Sequence, residues 1–412
     1  EYRIKPIFMI STGTNIMIKN LLRPCPICLN RKGEILHSQN FIIPQEHFLP
    51  DSYDVVACNL CGFVYADTSA KQKDYDRYYQ IFSKYEDTSL SSGTGITKND
   101  ADRLNMTAQV IADMVPDKDC SILDIGCANG GLLASFKSMG YNNLTGMDPS
   151  KNCITYVKEK LGIHAVEGGL FFKNNIQNCF FDLVILSHVL EHVYDLAEAI
   201  KNVKSLLKRE GLLYIEVPDS SAYASYYVVP YYYFDCEHIN HFDEHSLKNL
   251  LLPHGFSHII SKKKELSITG DIVYPACYGI YRKSEEQNNY KIAFNPAVKD
   301  STVSYVKKSE SNKNWSQIDE FARSQEKIIV WGAGSYTLRL MKNSPLSECN
   351  IIFFIDKDSK KHGTKIKDIP VYPPDILREH RETIIICSAL YSEDILAEIR
   401  TMAICNKVFI MK

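Results

Sequence analysis

The sequence predicts an α/β protein with two doubly wound units and a small cysteine-bearing unit at the N-terminus. Two stretches, "CSILDIGCANGGLL" and "KIIVWGAGSYTLRLM", each run from an apolar strand through a glycine turn into a helix, as such units open. The region 21–70 instead carries paired cysteines and little helical periodicity. We therefore expect three domains, at residues 1–75, 76–265 and 266–412.

Composition excludes several classes of protein. The chain has 412 residues, 45% hydrophobic and 23% charged, which is typical of a globular protein of two or three domains. A net charge of -2 provides no basic field for a nucleic-acid backbone, so nucleic acid is not an expected partner. The apolar runs are too short to span a membrane and no signal-peptide pattern is present, so the expected location is cytoplasmic.

Two C-x-x-C pairs predict a metal site. Four thiolates from Cys25, Cys28, Cys58 and Cys61 are the ligand set of a closed tetrahedral zinc centre, which folds a domain and leaves no position for a reacting water. We expect the residues between the pairs to form a small sheet. The remaining cysteines are scattered and the total of 13 is odd, so disulfides are not expected.

The first glycine turn predicts a nucleotide-type cofactor site. A buried strand ends in Asp124, the turn contains Gly126 and Gly130, and the next strand ends in Asp148, where such folds carry the acid for a ribose. These residues alone are compatible with NAD. The continuation differs, because "FFDLVILSHVLEHV" predicts a fourth strand that runs into a loop with Ser187 and His188, and "LLKREGLLYIEVPD" predicts a helix, a turn and a fifth strand.

This series, over residues 104–218, resembles the class I S-adenosylmethionine-dependent methyltransferases. The resemblance implies that the first turn lines the methionine end of S-adenosylmethionine, that Asp148 binds the ribose, and that the loop from Ser187 faces the sulfonium. The family's middle glycine is Ala128 here, which keeps the side chain small. The expected cofactor-binding residues are Asp124, Gly126, Cys127, Gly130, Asp148, Pro149, Ser187 and His188.

The stretch "YYYFDCEHINHF", residues 231–242, supplies candidate acid–base groups. A hydroxyl acceptor needs only a base, whereas a carbon beside a ketone needs a base and donors that stabilise an enolate oxygen. His192, Glu237 and His238 form such a set if they converge. Five tyrosines offer phenolic donors or a stacking wall: Tyr226, Tyr227, Tyr231, Tyr232 and Tyr233.

The order of cysteine pairs, central methyltransferase, "EH" element and second Rossmann-like unit resembles the sugar C-methyltransferases over nearly the whole chain. The expected fold is therefore α/β, with a class I methyltransferase Rossmann-like domain, a second Rossmann-like domain at the C-terminus and a small N-terminal zinc-binding domain. The resemblance implies a nucleotide-linked 4-keto-deoxysugar as substrate, structural zinc, and a C-terminal domain that assists nucleotide-sugar binding.

Carried over by motif, His238 is the base at the sugar carbon, Glu237 is its neighbour, and His192 donates to the keto oxygen or enolate. Tyr85 matches the tyrosine before the family's serine-rich segment, with Tyr79 as the alternative. The family's element has a tyrosine where this chain has Asp235, so the reprotonation step credited to that tyrosine is not expected here. The form "EHINHF" also resembles methyltransferases found with cell-surface glycan genes, which leaves methylation of a sugar oxygen open.

The sequence leaves more than one role open for several of these residues and for the second glycine turn. Glu237 and His238 are also compatible with a hydrogen-bonded pair at a sheet edge; the role of His241 stays open, and His245 reads as structural. At the second turn, Thr337 replaces the third glycine of a dinucleotide fingerprint. Contact with a nucleotide phosphate at residues 332–336, a purely structural unit and an NAD site, which would make the protein an oxidoreductase, all remain open.

Overall fold

The structure, a computed structural model, describes residues 18–43, 48–82, 94–171, 180–269, 272–285, 289–313 and 315–411. An antiparallel sheet of order β1-β2-β3-β4-β10 forms the N-terminal unit. Its strands are β1 Ile18–Asn20, β2 Lys32–Asn40, β3 Ser52–Cys58, β4 Val64–Asp67 and β10 Asn240–His241. The sheet expected between the cysteine pairs is confirmed by β2 and β3, which pair with each other.

The fifth strand of this sheet was not expected from the sequence. Strand β10 follows His238 directly and pairs with β4 through Asn240 opposite Tyr65 and His241 opposite Val64. The segment that carries Glu237 and His238 is therefore anchored on the N-terminal sheet, although it lies more than 150 residues further along the chain.

The central unit is a seven-stranded sheet of order β11-β12-β9-β8-β5-β6-β7. Its strands are β5 Ile122–Ile125, β6 Leu144–Asp148, β7 His164–Glu167, β8 Phe181–Ser187, β9 Leu207–Pro218, β11 Phe256–Thr269 and β12 Ile272–Lys283. Strands β5 to β9 are parallel, whereas β12 runs antiparallel to both β9 and β11. The predicted doubly wound α/β unit is confirmed.

Helices cover both faces of this sheet, which explains why its inner strands read as unbroken apolar runs. The helices on this sheet are α2 Lys98–Ala112, α3 Gly131–Ser138, α4 Lys151–Leu161, α5 Leu196–Leu206 and α6 Glu244–Leu251, whereas α1 Gln72–Phe82 packs with the N-terminal sheet through Tyr75 and Tyr78. In β8, Leu183 and Ile185 pack on the side of α2, α3 and α4, while Val184 and Leu186 pack on the side of α5 and α6. Alternate residues of a strand point to opposite faces, so both faces are apolar.

Two details differ from the sequence-based expectation. The turn expected at "KREG" is absent, because β9 starts directly after α5 and absorbs those residues with Glu210 at a φ of 58°. The predicted domain boundary between residues 265 and 266 falls inside β11, whose pairing with β12 completes the sheet. We therefore extend the central unit through β12.

The C-terminal unit is a second doubly wound sheet, of order β15-β16-β14-β13-β17-β18. Its strands are β13 Lys327–Trp331, β14 Asn350–Ile355, β15 Lys365–Ile366, β16 Ile369–Tyr372, β17 Thr383–Ile386 and β18 Val408–Ile410. Its helices are α8 Ser316–Ser324, α9 Ser335–Asn343 and α10 Ser392–Thr401, and α7 Ala297–Ser311 precedes it. Tyr305 of α7 is fully buried, so this helix packs against the rest of the protein.

The C-terminal unit touches the N-terminal sheet. The Ile42 amide donates to the Leu338 carbonyl at 3.0 Å, and the Asn343 side chain donates to the Asn40 carbonyl at 3.1 Å. All three units therefore meet around the tyrosine-rich segment 223–234. Within the parts of the chain that the structure describes, every helix is too short or too polar to span a membrane.

Candidate active site

Strand order fixes where a ligand would bind in the central sheet. The chain proceeds from β5 to β6 and β7 on one side and then returns to place β8 on the other side of β5. Ligands of open α/β sheets bind at such a switch point, beyond the carboxyl ends of the strands. The turn after β5 and the loop after β8 meet there, and a Cβ added at Gly126 would lie 2.8 Å from Val189.

The turn after β5 has the backbone that close approach of a ligand requires. Gly126 is exposed at a φ of 76°, and Gly130 caps α3 at the same φ. Ala128 lies between them at a φ of 46°, so the alanine adopts the left-handed conformation that glycine would occupy without strain. Burial and the nearby charge of Asp148 raise the pKa of Asp124 to about 8. A cationic ligand group beside this carboxyl would favour its charged form.

Asp148, the last residue of β6, accepts backbone hydrogen bonds from the same turn and from its own loop. Asp148 Oδ2 accepts from the Ala128 amide at 2.9 Å, and Oδ1 accepts from the Ser150 amide at 2.8 Å. Cys127 is buried against Gly146 and burial raises its thiol pKa, so its side chain packs inward, whereas Pro149 is partly exposed.

The loop after β8 is built around His188. Its Nδ1 lies 3.1 Å from Glu191 Oε1 and its Nε2 lies 3.2 Å from Glu216 Oε1, while Lys264 binds the other oxygen of Glu216. Burial lowers the pKa of His188, but its hydrogen bonds to the two glutamates outweigh burial and raise the pKa to about 9. Both ring nitrogens are therefore engaged by carboxylates. His188 organises the loop, and Ser187 ends β8 in a partly exposed position.

The predicted acid–base residues converge beside this loop. The ring centroids of His192 and His238 lie 4.8 Å apart. Tyr79 on α1 lies 2.8 Å from His192 Nδ1 and also donates to Glu237 Oε2 at 3.2 Å. Tyr78, which sequence reasoning missed, donates to Glu237 Oε1 at 2.9 Å. Two phenols thus hold the buried carboxylate of Glu237, and a second buried carboxylate, that of Glu191, lies within 4.8 Å of ring nitrogens of both His192 and His238.

The structure describes only one of the two candidate tyrosines, Tyr79. Tyr85 lies outside the described residues, so its predicted role has no structural account. The alternative, Tyr79, contacts both His192 and Glu237. The only sequence signal for Tyr78 was its place next to Tyr79 in α1.

Arg23 joins the segments that carry the two histidines. Its guanidinium donates to the Tyr194 carbonyl at 2.6 Å, to the Ile239 carbonyl at 3.1 Å and to the Asn240 side chain at 3.0 Å. The Asn240 amide in turn donates to the Leu190 carbonyl at 2.8 Å. A buried arginine next to the first cysteine pair therefore fixes the spacing between His192 and His238.

The tyrosine-rich segment mainly forms core. Tyr233 stacks on Tyr223 with ring centroids 3.8 Å apart and an interplanar angle of 2°, and both rings are buried. His241 is fully buried with its Nδ1 3.2 Å from the Tyr223 hydroxyl, and burial lowers its pKa to about 3. His241 is thus a neutral core residue. His245 contacts the Ala293 carbonyl at 3.1 Å, which agrees with the structural role expected for it.

The four predicted zinc ligands lie together. Their sulfur atoms are all within 4.8 Å of one another, with Cys25 3.6 Å from Cys61 and Cys28 3.4 Å from Cys58. The Leu60 amide and the Asn30 side chain both donate to Cys58 Sγ at 3.4 Å, which favours a thiolate. The donor set and its spacing fit a tetrahedral thiolate metal centre.

At the second glycine turn, as at the first, an aspartate at the end of the next strand accepts a hydrogen bond from a backbone amide of the turn. Asp356 Oδ2 accepts from the Ala333 amide at 2.8 Å, and Lys361 lies 2.9 Å from the same oxygen. Gly332 has a φ of 112° and packs against the Cys387 carbonyl, where a Cβ would lie 2.5 Å away. The Thr337 hydroxyl donates to the Gly332 and Cys387 carbonyls, so it fills the space between helix and strand.

Two parts of the chain match known families. Residues 98–261 match the family described as a methyltransferase domain, and residues 324–410 match the family described as C2185-like, N-terminal. Ubiquinone biosynthesis O-methyltransferase from Actinobacillus pleuropneumoniae serotype 7 (strain AP76) is 31% identical over 106 residues, which cover 23% of this chain and 43% of that protein. Its counterpart from Colwellia psychrerythraea (strain 34H / ATCC BAA-681) is 30% identical over 112 residues, covering 25% and 44%. The chain thus spans less than half the length of these relatives.

Solved structures also resemble the chain. The PH0226 protein from Pyrococcus horikoshii OT3 aligns with 50% of this chain and 99% of its own, at 18% identity and a TM-score of 0.39. The 1,6-didemethyltoxoflavin-N1-methyltransferase of Burkholderia thailandensis, with bound S-adenosylhomocysteine, aligns with 57% and 96%, at 15% identity and a TM-score of 0.39. The family match covers most of the central unit, so residues 98–261 are similar to a methyltransferase domain.

Proposed function

We propose that the protein is an S-adenosylmethionine-dependent methyltransferase that methylates a carbon next to the ketone of a nucleotide-linked deoxysugar. The observation that carries this proposal is the convergence of His192, His238 and Glu237 next to the switch point of the methyltransferase sheet. A simple hydroxyl acceptor would need only one base, whereas two imidazoles beside a buried carboxylate suit an enolate.

The turn after β5 would hold the cofactor. Asp124 and Gly126 would receive its methionine end, and the carboxylate of Asp148 at the end of β6 would receive the ribose hydroxyls. S-adenosylmethionine, when bound, supplies an electrophilic methyl group on a sulfonium. The remaining work falls to side chains that orient the acceptor and move its proton.

His238 would remove the proton from the sugar carbon, and the electron pair of that bond would move toward the keto oxygen. His192 Nδ1 lies 3.1 Å from the Glu237 carbonyl, which only accepts, so Nδ1 carries a proton; His192 would donate a hydrogen bond to the keto oxygen from a protonated Nε2. The enolate carbon would then form the new bond to the methyl group while the carbon–sulfur bond breaks, and the electron pair of that bond would leave on the sulfur of S-adenosylhomocysteine. Glu191, whose carboxylate lies within 4.8 Å of ring nitrogens of His192 and His238, would stabilise the charged form of His238, while Tyr78 and Tyr79 hold the neighbouring Glu237.

The cysteine cluster would have a structural role. Four thiolates close the coordination of zinc, so the metal offers no position to a substrate. Its place beside Arg23 would let it stiffen the sheet on which β10 and the His238 segment are anchored.

Heavy water tests the proposed carbon acceptor. With S-adenosylhomocysteine bound, the enzyme should exchange the ring proton next to the ketone of a nucleotide-linked 4-keto-deoxysugar for deuterium, measured by proton NMR. His238→Ala should abolish the exchange, and His258→Ala, which changes an exposed histidine on β11, should not. Methyl transfer without any exchange would reject the enolate.

Methylation of a sugar oxygen is the second candidate. It is favoured by the relatives, which are O-methyltransferases by name. In that case His238 or His192 acts as a base on a hydroxyl, no ring proton exchanges, and the methyl group is found on oxygen. The same incubation therefore separates the two candidates.

A further inference from the structure

Three side chains beside the loop after β8 form a group with the composition of a metal site. Ligand atoms of Glu191, His192 and His238 all lie within 4.8 Å of one another, and Glu191 Oε1 lies 4.0 Å from His192 Nε2. Two imidazoles and one carboxylate are a ligand set that binds divalent transition-metal ions. Ligand atoms bonded to such an ion at about 2.0–2.2 Å lie about 3–4 Å apart, so side-chain movements of about 1 Å close the three groups around it.

His192 is held in the state that a metal ligand needs. Its Nδ1 lies 3.1 Å from the Glu237 carbonyl and 2.8 Å from the Tyr79 hydroxyl, and a carbonyl only accepts. In the neutral ring the proton is therefore on Nδ1 and the lone pair is on Nε2, the nitrogen that lies 4.0 Å from Glu191. Metal-binding histidines commonly donate their other N–H to a backbone carbonyl in this way.

Glu191 is held through one oxygen, and its other oxygen lacks a partner. Its Oε1 accepts from His188 Nδ1 at 3.1 Å, and His188 is fixed in turn by Glu216. Glu191 is 1% exposed, and its Oε2 has no hydrogen-bond partner among the described residues. A buried carboxylate oxygen without a donor or a cation is unfavourable. A metal ion supplies the positive charge at Oε2, while His188 keeps the carboxylate in place.

This group differs in kind from the cysteine cluster. Four thiolates complete a tetrahedral zinc centre, whereas Glu191, His192 and His238 provide three ligands and leave other positions of an ion open. Imidazole is also a good ligand for Ni²⁺, while thiolates favour zinc. Ni²⁺ can therefore probe the histidine group while zinc occupies the cysteines.

We propose that Glu191, His192 and His238 form a second metal site, which binds a divalent transition-metal ion and thereby inhibits proton removal from the acceptor. The ion bonds to His192 Nε2 and to a ring nitrogen of His238. These imidazoles are the groups that the proposed reaction uses as donor and as base, so a filled site has no free base. Metal binding is independent of the proposed function, whereas the inhibition rests on it.

The test is a calorimetric titration with Ni²⁺ of the full chain, without an affinity tag and carrying one zinc ion per chain. We expect one strong Ni²⁺ site. His238→Ala should weaken Ni²⁺ binding by about 10²-fold or more because one of three ligands is lost, and His188→Asn by about 10-fold because Glu191 is no longer held in place. His258→Ala, which changes an exposed histidine of β11, should leave the affinity unchanged.

Glu191→Gln is the second ligand variant, because it keeps the shape of the side chain and removes its charge. It should weaken Ni²⁺ binding by about 10²-fold. Binding of S-adenosylhomocysteine, measured in the same samples, shows that each variant is folded. Ni²⁺ affinity equal to that of the wild type in either His238→Ala or Glu191→Gln, or no saturable binding to the wild type, would overturn the metal site.

Proton exchange in heavy water measures the inhibition. With S-adenosylhomocysteine bound, Ni²⁺ should stop exchange of the acceptor's ring proton at the concentrations that fill the site in calorimetry. Mg²⁺, which prefers oxygen ligands and also binds a diphosphate, is the control and should leave the exchange unchanged. Continued exchange with Ni²⁺ bound would overturn the inhibition. Absence of exchange before Ni²⁺ is added would instead contradict the proposed function, and the titration would still decide the metal site.

Discussion

Replacement of Arg23 by methionine tests whether one side chain holds the two histidine segments together. The change removes hydrogen bonds to the carbonyls of Tyr194 and Ile239 and to the Asn240 side chain. The Ile239 carbonyl keeps a bond from the Ala66 amide at 2.9 Å, so two acceptors lose the partner that Arg23 gave them. At about 1.5–3 kcal/mol for a hydrogen bond to a charged group, the loss is about 3–6 kcal/mol.

Part of this loss is offset, because the variant no longer buries a guanidinium away from water. We therefore expect the free energy of unfolding to fall by about 3 kcal/mol, measured by urea denaturation followed by fluorescence. Arg31→Met, which changes an exposed arginine of the same unit, should have almost no effect. Turnover should fall much more than S-adenosylhomocysteine affinity, because the cofactor turn does not contact Arg23. A decrease in the free energy of unfolding of less than about 1 kcal/mol would contradict the proposed role of Arg23 in holding the two histidine segments together.

Three further predictions concern the histidines and the metal. His238→Ala should leave S-adenosylhomocysteine affinity unchanged in calorimetry but cut turnover on the order of 10²-fold or more, the scale of a general base. His188 has a folded pKa of about 9 against 6.5 when unfolded, so its contribution of at most about 3 kcal/mol is complete below pH 6.5 and is lost as the pH rises through 9. Denaturation at several pH values should therefore show a decline that His188→Asn removes. Cys58→Ser should lower bound zinc, measured by atomic emission, and destabilise the N-terminal sheet.

Each of these predictions has a contradicting result. Full turnover in His238→Ala would remove His238 as the base. A pH profile of stability that is the same in His188→Asn and wild type would mean that the glutamates do not hold His188 as a cation. Unchanged zinc content in Cys58→Ser, with Cys405→Ser as the exposed control, would exclude the cysteine cluster as the metal site.

Local patterns were sufficient for the elements whose signals lie close together in the chain. Both glycine turns follow a buried strand and open a helix, and the two C-x-x-C pairs need only short-range spacing to be recognised. The start of α6 is another local feature, because Asp243 forms a capping box with Ser246. These features depend on neighbours within a few residues.

Long-range contacts could not be read in the same way. Strand β10 is two residues long, too short to carry an alternating pattern, and it joins a sheet whose other strands all lie before residue 68. Arg23 lies 217 residues from Asn240, and Tyr79 lies 158 residues from Glu237. The aromatic run was expected to face a ligand, yet Tyr233 packs in the core, because a buried ring and a ligand-facing ring have the same sequence signature.

Transfer of a labelled methyl group tests the central claim most directly. The protein is incubated with S-adenosylmethionine carrying a ¹³C methyl group and a nucleotide-linked 4-keto-deoxysugar, and the product is examined by carbon–proton correlation NMR. We predict a labelled methyl group bonded to the ring carbon next to the ketone, with no such product from His238→Ala. A label found on oxygen, or the same product from the variant, would contradict the account.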